Sequence, residues 1–148
     1  MSNTIHIVCP NCKSANRLPE LRLSSNPRCG RCKQNLFSAH PVELTHYDFD
    51  RHVSINQIPV VVDFWASWCG PCKIMSPILE QAAAYLEPNV RIAKVNTETE
   101  QGLAAKFNIR SIPTIIIFKN GNEASRQSGA MDLATLIQWV RANALDSG

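Results

Sequence analysis

Six cysteines, side chains that can bind a metal or exchange disulfides, occur in this chain of 148 residues as three Cys-x-x-Cys pairs. The pairs are Cys9/Cys12, Cys29/Cys32 and Cys69/Cys72. No basic stretch followed by a long apolar run is seen near residue 1, so we expect no secretory signal and a cytoplasmic protein. In that compartment paired cysteines are typical of metal binding or redox chemistry rather than of structural disulfides.

The first two pairs have the spacing of a zinc site. Sixteen residues separate C-P-N-C from C-G-R-C, which matches the spacing of two zinc knuckles joined by a connecting segment. Four thiolates form a closed tetrahedral site without an open position for a substrate, so zinc catalysis is not expected. We predict one structural or regulatory Zn²⁺ bound by Cys9, Cys12, Cys29 and Cys32, with disulfides or free thiols as the alternative. His6 and His40 lie outside this set and are interpreted as bystanders.

Charge divides the chain into two parts. Residues 1–40 carry a balance of +5 and residues 41–148 a balance of −2. We therefore predict a small zinc-ribbon-like module over residues 1–40, followed by a larger domain over residues 41–148. No aromatic residue is interleaved with the bases of the module, so nucleic-acid binding is not expected. No apolar run approaches the roughly 18 residues that span a bilayer, so no membrane partner is expected either.

The larger domain shows the patterns of an α/β fold. Residues 59–65 form an apolar, β-branched run typical of a central parallel strand, and apolar residues recur at helical spacing over 74–86. Further strands are predicted over 42–44, 90–96, 114–119 and 123–128, and helices over 48–55, 101–107 and 132–144. Asn120-Gly121 is a type I′ hairpin signal. These elements predict a mixed central sheet with helices on both faces.

The third cysteine pair lies where the first buried strand ends and the next helix begins. Open α/β sheets carry their sites at the carboxyl ends of strands. Cys69 would stand at the helix N-terminus, where the helix dipole and unpaired N–H groups stabilise a thiolate. Cys72 follows one turn later on the same face. We predict that Cys69 is the exposed nucleophile and Cys72 the more buried resolving thiol. A second zinc site is not expected here, because the chain has no further cysteine pair to complete it.

Asp63 is a carboxylate within the apolar strand, between Val62 and Phe64. Burial disfavours the charged form and would raise its pKa, which suits a proton acceptor for Cys72. The alternative is a solvated acid at a strand end.

Residues 62–73, V-D-F-W-A-S-W-C-G-P-C-K, resemble the active-site segment of thioredoxins. I-P-T at 112–114, F-K-N-G at 118–121 and Gly129 match later landmarks of that family. The resemblance covers roughly residues 42–145, and with the four-cysteine module in front the chain is similar to zinc-binding bacterial members. It implies the thioredoxin fold and reduction of protein disulfides by dithiol–disulfide exchange. It also implies thioredoxin reductase and disulfide-containing proteins as partners, a monomer, and no organic cofactor.

The resemblance assigns further residues. It implies that Lys94 lies beside Asp63 and that Pro113 is a cis-proline facing the active site, which completes the catalytic set of Cys69, Cys72, Asp63, Lys94 and Pro113. It also implies an apolar surface for flexible protein partners, formed by Trp68, Gly70, Pro71, Ile112 and Gly129. Asn108 and Ser111 stand where many thioredoxins have glycine. Ser111 lies beside the substrate groove, so this difference affects which partner proteins bind and not the disulfide exchange itself.

Two other functions stay open. A disulfide oxidase or isomerase is disfavoured because the inner Gly-Pro dipeptide supplies no histidine to stabilise the thiolate and no export signal is seen. A zinc-dependent binding or chaperone module would keep its activity without Cys69 or Cys72. The zinc module itself is expected to tune activity or partner choice, through redox sensing or its basic surface, without being required.

Overall fold

The computed structural model describes residues 3–145, in which nine helices and strands follow an N-terminal module that ends near residue 40. Their bounds are, in chain order, β3 Val42–Leu44, α1 Phe49–Ile55, β4 Val60–Trp65, α2 Gly70–Leu86, β5 Arg91–Asn96, α3 Gln101–Lys106, β6 Thr114–Lys119, β7 Asn122–Ser128, with α4 Leu133–Ala144 closing the domain. The strands form one sheet in the order β3-β5-β4-β6-β7. β3, β5 and β4 run parallel, and β6 and β7 are antiparallel.

Both faces of this sheet are covered by helices. Val61 of β4 packs with apolar residues of α2 and α4 on one face. Its neighbours Val60 and Val62 pack with α1 and α3 on the other face, because successive strand residues point to opposite sides. The mixed sheet between two helical layers that the sequence predicts is therefore confirmed.

The strands and helices lie close to their predicted bounds. α2 begins at Gly70, directly after Cys69 as predicted, one turn before the apolar stripe that starts at Ile74, and it contains Pro77. Asn120 and Gly121 have positive φ angles of 52° and 84°, as a type I′ turn requires.

The N-terminal module contains a hairpin that the sequence analysis did not predict. β1 (Thr4–Val8) pairs antiparallel with β2 (Ala15–Pro19), and a short 3₁₀ turn follows over Glu20–Arg22. The first cysteine pair lies at the turn between β1 and β2. The second pair lies in a further turn closed by a bridge between Arg28 and Asn35.

The module is packed against the domain rather than held at a distance. The Val8 N–H donates to the Asn56 side-chain oxygen at 2.7 Å, and the Gln57 N–H donates to the His6 carbonyl at 3.0 Å. Ile58 of the domain completes an apolar cluster with Ile7, Cys9, Cys29 and Leu36. These contacts lie at the amino ends of β4 and β5, whereas the third cysteine pair lies beyond the carboxyl end of β4.

Arg91 is the central side chain of this contact. It is 1% exposed, donates to Glu87 at 3.1 Å and donates to the Val8 carbonyl at 3.1 Å. Its guanidinium group also lies 4.8 Å from the centre of the Phe37 ring. Glu87 in turn accepts from the Ala39 N–H at 2.7 Å. A buried pair of charges thus joins the module to the domain. The division of the chain near Pro41 itself stays a prediction.

None of the helices within residues 3–145 is long and apolar enough to cross a membrane.

Candidate active site and metal centre

Cys69 and Cys72 form a disulfide at the start of α2, with their Cα atoms 5.2 Å apart. Cys69 is the N-cap residue of α2, and its sulfur accepts the Cys72 N–H at 3.2 Å. Pro71 occupies the first turn, where a missing N–H costs nothing because no helical partner is available there. The predicted position of the pair, at a helix N-terminus after a buried strand, is confirmed.

The two cysteines do not differ in burial as the sequence analysis expects. Cys69 is 3% exposed and Cys72 is 4% exposed, because the disulfide holds both sulfur atoms together at the start of the helix. They differ instead in what they face. Cys69 lines an open groove of about 410 Å³, whereas Cys72 lines a separate cavity of about 300 Å³ together with Lys94.

The groove contains most of the predicted partner surface. Trp68 is 70% exposed at its edge. The predicted residues in its lining are Trp68, Gly70, Pro71 and Ile112, beside Cys69 itself. The structure adds residues that the sequence analysis did not assign, because they come from the α3 region and the loop after β5: Thr97, Ala104, Ile109 and Arg110. Ser111, which the family resemblance places beside the substrate groove, also lines it.

Pro113 and Gly129 form the support behind this groove. The Ile112–Pro113 peptide bond is cis, and the Ile112 carbonyl oxygen lies 3.6 Å from the Cys69 sulfur. The Pro113 carbonyl accepts the Gly129 N–H at 2.9 Å. Gly129 has φ +94°, in the region that favours glycine, and it does not line the groove.

Asp63 is buried on the α2 side of the sheet. It pairs in register with Ile115, which packs with Met75 of α2, and it is 1% exposed. Neither carboxylate oxygen has a hydrogen-bond partner among the described residues. Burial raises the pKa of Asp63 to about 7, while the charge of Lys94 acts in the opposite direction. The alternative of a solvated acid is wrong for this residue.

Lys94 lies one strand away from Asp63, at the same register position on β5. Its ammonium nitrogen lies 4.7 Å from the centre of the Trp65 ring. Lys94 and Asp63 form no salt bridge within residues 3–145. The lysine therefore acts on the carboxylate through its charge and not through a direct hydrogen bond.

The four cysteines of the module converge as their spacing predicts. Their sulfur atoms all lie within 4.8 Å of one another, and the Cys9–Cys32 and Cys12–Cys29 pairs are each separated by 3.6 Å. A tetrahedron with Zn–S bonds of about 2.3 Å has sulfur–sulfur edges of about 3.8 Å. The four donors therefore fit Zn²⁺, and they fit it without leaving an open coordination position.

The two cysteine turns are near-copies of each other. Asn11 N–H donates to Cys9 sulfur at 3.3 Å, and Arg31 N–H donates to Cys29 sulfur at 3.4 Å. The residue after the second cysteine of each turn has a left-handed backbone with φ 67°; these residues are Lys13 and Lys33. Backbone N–H groups aimed at sulfur stabilise thiolates, which are the form that binds Zn²⁺.

Comparison with known proteins agrees with this geometry. Residues 40–142 match the family model described as Thioredoxin. The chain is 43% identical over 134 residues to "Thioredoxin C-3" of Corynebacterium nephridii, covering 90% of this chain and 92% of that protein. It is 38% identical over 100 residues to a thioredoxin of Rickettsia bellii, covering 68% and 95%. A solved mutant thioredoxin of Halobacterium salinarum superposes with a TM-score of 0.67 at 26% identity, covering 74% of this chain and 96% of that one.

A thioredoxin fold that carries a Cys-Gly-Pro-Cys pair at the start of α2 defines a class of thiol–disulfide oxidoreductases. The chain belongs to the thioredoxin family. Residues 8–34 match a second family model, a zinc ribbon described as "Thioredoxin 2, N-terminal". The chain thus combines both parts, the redox domain and the zinc-ribbon module.

Proposed function

We propose that the protein reduces disulfide bonds in other proteins, with Cys69 as the attacking thiolate and Cys72 as the resolving thiol. The observation that supports this division is that the two cysteines face different spaces. Cys69 faces the open groove beside exposed Trp68 and the cis-peptide at Pro113, where an extended substrate segment can reach its sulfur. Cys72 instead lines a second pocket together with Lys94 and Ser76, and Cys69 is not part of that pocket.

The reaction proceeds in two exchange steps. The Cys69 thiolate attacks one sulfur of the substrate disulfide, the substrate S–S bond breaks, and the other substrate sulfur leaves as a thiolate. Cys72 then gives its proton to Asp63 and attacks the Cys69 sulfur. The mixed disulfide breaks, and the second substrate sulfur leaves. Two electrons have passed to the substrate, and the Cys69–Cys72 disulfide has formed. Thioredoxin reductase returns two electrons from NADPH to this disulfide.

Asp63 is the proton acceptor in this proposal. Its pKa of about 7 places it between its charged and neutral forms near neutral pH, where a general base is most effective. Its oxygens have no partner among the described residues, so they are free to take a proton. Lys94 keeps part of the carboxylate ionised through its positive charge.

The direction of the reaction follows from the dipeptide between the cysteines. Gly70 and Pro71 supply no charge that would stabilise a reduced Cys69 strongly, which disfavours an oxidase or isomerase. Reduction suits a reducing compartment, and we assign the protein to the cytoplasm. In this proposal it acts as a monomer whose partners are thioredoxin reductase and disulfide-containing proteins.

The zinc module has a separate part in the proposal. One Zn²⁺ per chain, bound by Cys9, Cys12, Cys29 and Cys32, supports the fold of the module. The module contacts Glu87, just after the far end of α2, and a helix of 17 residues is about 25 Å long. It therefore tunes activity through the packed domain, or it selects partners with its basic surface, and it does not touch the reacting sulfurs.

The test is the reduction of insulin, coupled to NADPH and thioredoxin reductase. With the full chain present, the reductase should oxidise NADPH continuously only when insulin is added, beyond the single equivalent that reduces the Cys69–Cys72 disulfide. Cys69→Ser and Cys72→Ser should both lose this steady-state turnover. Suppression of aggregation of an unfolded protein, measured on the same variants, addresses the chaperone alternative. A chain whose only measurable activity is that suppression, unaffected by both substitutions, would contradict the proposal.

A further inference from the structure

Three charged residues lie in one row across three neighbouring parallel strands. Glu43 of β3 is paired in register with Lys94 of β5, and Lys94 is paired in register with Asp63 of β4. The row therefore reads acid, base, acid. The sequence does not reveal it, because β3 and β4 are separated by α1 in the chain and become neighbours of β5 only through the sheet order.

Trp65 connects the outer acid to the lysine. Its indole N–H donates to a Glu43 carboxylate oxygen at 3.2 Å, and its ring lies 4.7 Å from the Lys94 ammonium nitrogen. One side chain thus holds a carboxylate at its edge and a cation over its face. An aromatic ring favours this arrangement because its edge is positive and its face negative.

The row places two carboxylates in competition for one lysine. The charge of Lys94 lowers the pKa of Asp63, and the charge of Glu43 raises it again. Burial raises the pKa of Glu43 itself, while the Trp65 hydrogen bond and Lys94 lower it. On the other side of β4, Asp63 is paired in register with Ile115 of β6, which carries no charge and packs with Met75 of α2. Glu43 is therefore the second charged group, beside Lys94, that acts on the titration of Asp63.

We propose that Glu43 is a positioning residue for proton transfer at Asp63, acting through Lys94 and Trp65 without touching the substrate. This inference rests on the proposed role of Asp63 as proton acceptor. Glu43 offsets part of the lysine charge. Asp63 then stays able to hold a proton near neutral pH, and Lys94 stays fixed over the indole instead of closing onto the buried carboxylate.

Glu43→Gln tests the charge directly, since glutamine keeps an oxygen that accepts from Trp65. Two strand spacings separate the outer members of the row by about 10 Å. At that distance and an effective dielectric constant of about 20–40, loss of one negative charge should lower the titration midpoint of Asp63 by about 0.6–1.2 pH units. The midpoint is read from the ¹³C shift of the Asp63 carboxyl in the reduced full chain. Glu43→Asp keeps the charge and should restore the midpoint.

Glu98→Gln is the matched control. Glu98 is another carboxylate near the active site; it accepts hydrogen bonds from Ser67 and lies outside the row. Removing its charge should leave the titration midpoint of Asp63 unchanged. An unchanged midpoint in Glu43→Gln, or an equal shift in Glu98→Gln, would overturn the proposal whatever Asp63 does in the reaction.

The kinetic arm separates this proposal from the proposed function. The resolving step is followed as thiol release from a preformed mixed disulfide between pH 5 and pH 9. If Glu43 acts as proposed, the pH profile of Glu43→Gln moves to lower pH by the same interval as the Asp63 midpoint. If Glu43→Gln shifted the titration midpoint of Asp63 but not the pH profile of the resolving step, Asp63 would not be the proton acceptor. The proposed role of Glu43 in proton transfer would then be wrong as well.

Discussion

Replacement of Asp63 by asparagine should stabilise the folded protein above neutral pH and leave it nearly unchanged in acid. The carboxylate is buried without a hydrogen-bond partner among the described residues, and its pKa is raised from 3.8 to about 7. Between these two values the folded state holds a proton that the unfolded state has lost. Stability therefore falls as pH rises from about 4 to about 7, and it does not recover above that range.

The magnitude follows from the same shift. Each unit of pKa difference corresponds to about 1.4 kcal/mol, so ionised Asp63 costs the folded state on the order of 4 kcal/mol at pH 8. Asp63→Asn removes this cost. The difference in unfolding free energy between variant and wild type should thus be small at pH 4, grow by about 1.4 kcal/mol per pH unit, and level off above pH 7.

Urea unfolding of the oxidised protein at unit steps between pH 4 and pH 8 measures this difference. Loss of zinc at low pH affects both proteins alike and cancels in the comparison. Asp50→Asn is the matched control, because the Asp50 side chain is 82% exposed and lies 3.7 Å from the Lys106 ammonium group in a solvent-exposed ion pair. A stability difference for Asp63→Asn that stays constant over the whole range would refute the reasoning.

Three further predictions concern the cysteines and the module. Cys72→Ala should be alkylated rapidly at neutral pH and Cys69→Ala slowly, since only Cys69 faces the open groove; the reverse order would exchange their roles. The reduced protein should contain about one zinc per chain by metal analysis, and full zinc in a Cys9→Ser/Cys29→Ser protein would exclude the assigned ligands. A protein of residues 41–148 should fold and reduce insulin, but it should unfold at a lower urea concentration than the full chain, since truncation exposes the surface that the module covers. If this shorter protein folded but were inactive, the domain would not be independent of the module.

The sequence predicts the redox site well because its determinants are local. Cys69 and Cys72 lie in one continuous segment, and the strand before them and the helix after them have clear hydrophobic periods. The four zinc cysteines are predicted equally well from the sequence, since each pair lies in a tight turn and a single segment of the chain connects the two turns. The raised pKa of Asp63 also follows from the apolar residues on either side of it.

Features that depend on strand order could not be predicted. Arg91 reads as a surface base at the start of a strand, yet it is buried because the module covers it. Glu43 reads as an exposed acid in a short strand, and only its register with Lys94 relates it to Asp63. The sequence does not reveal β1 because this strand has five residues and is partly exposed over its first three, so it lacks a clear alternating pattern.

The central claim is that Cys69 attacks substrate disulfides from the groove and that Cys72 releases the product. The most direct measurement is mass spectrometry of the Cys72→Ser protein after incubation with a peptide disulfide. The account predicts one covalent adduct of half the disulfide, located at Cys69 after digestion and removed by dithiothreitol. An adduct located at another cysteine, or an unmodified Cys69 under conditions where the wild type reduces the same peptide, would contradict it.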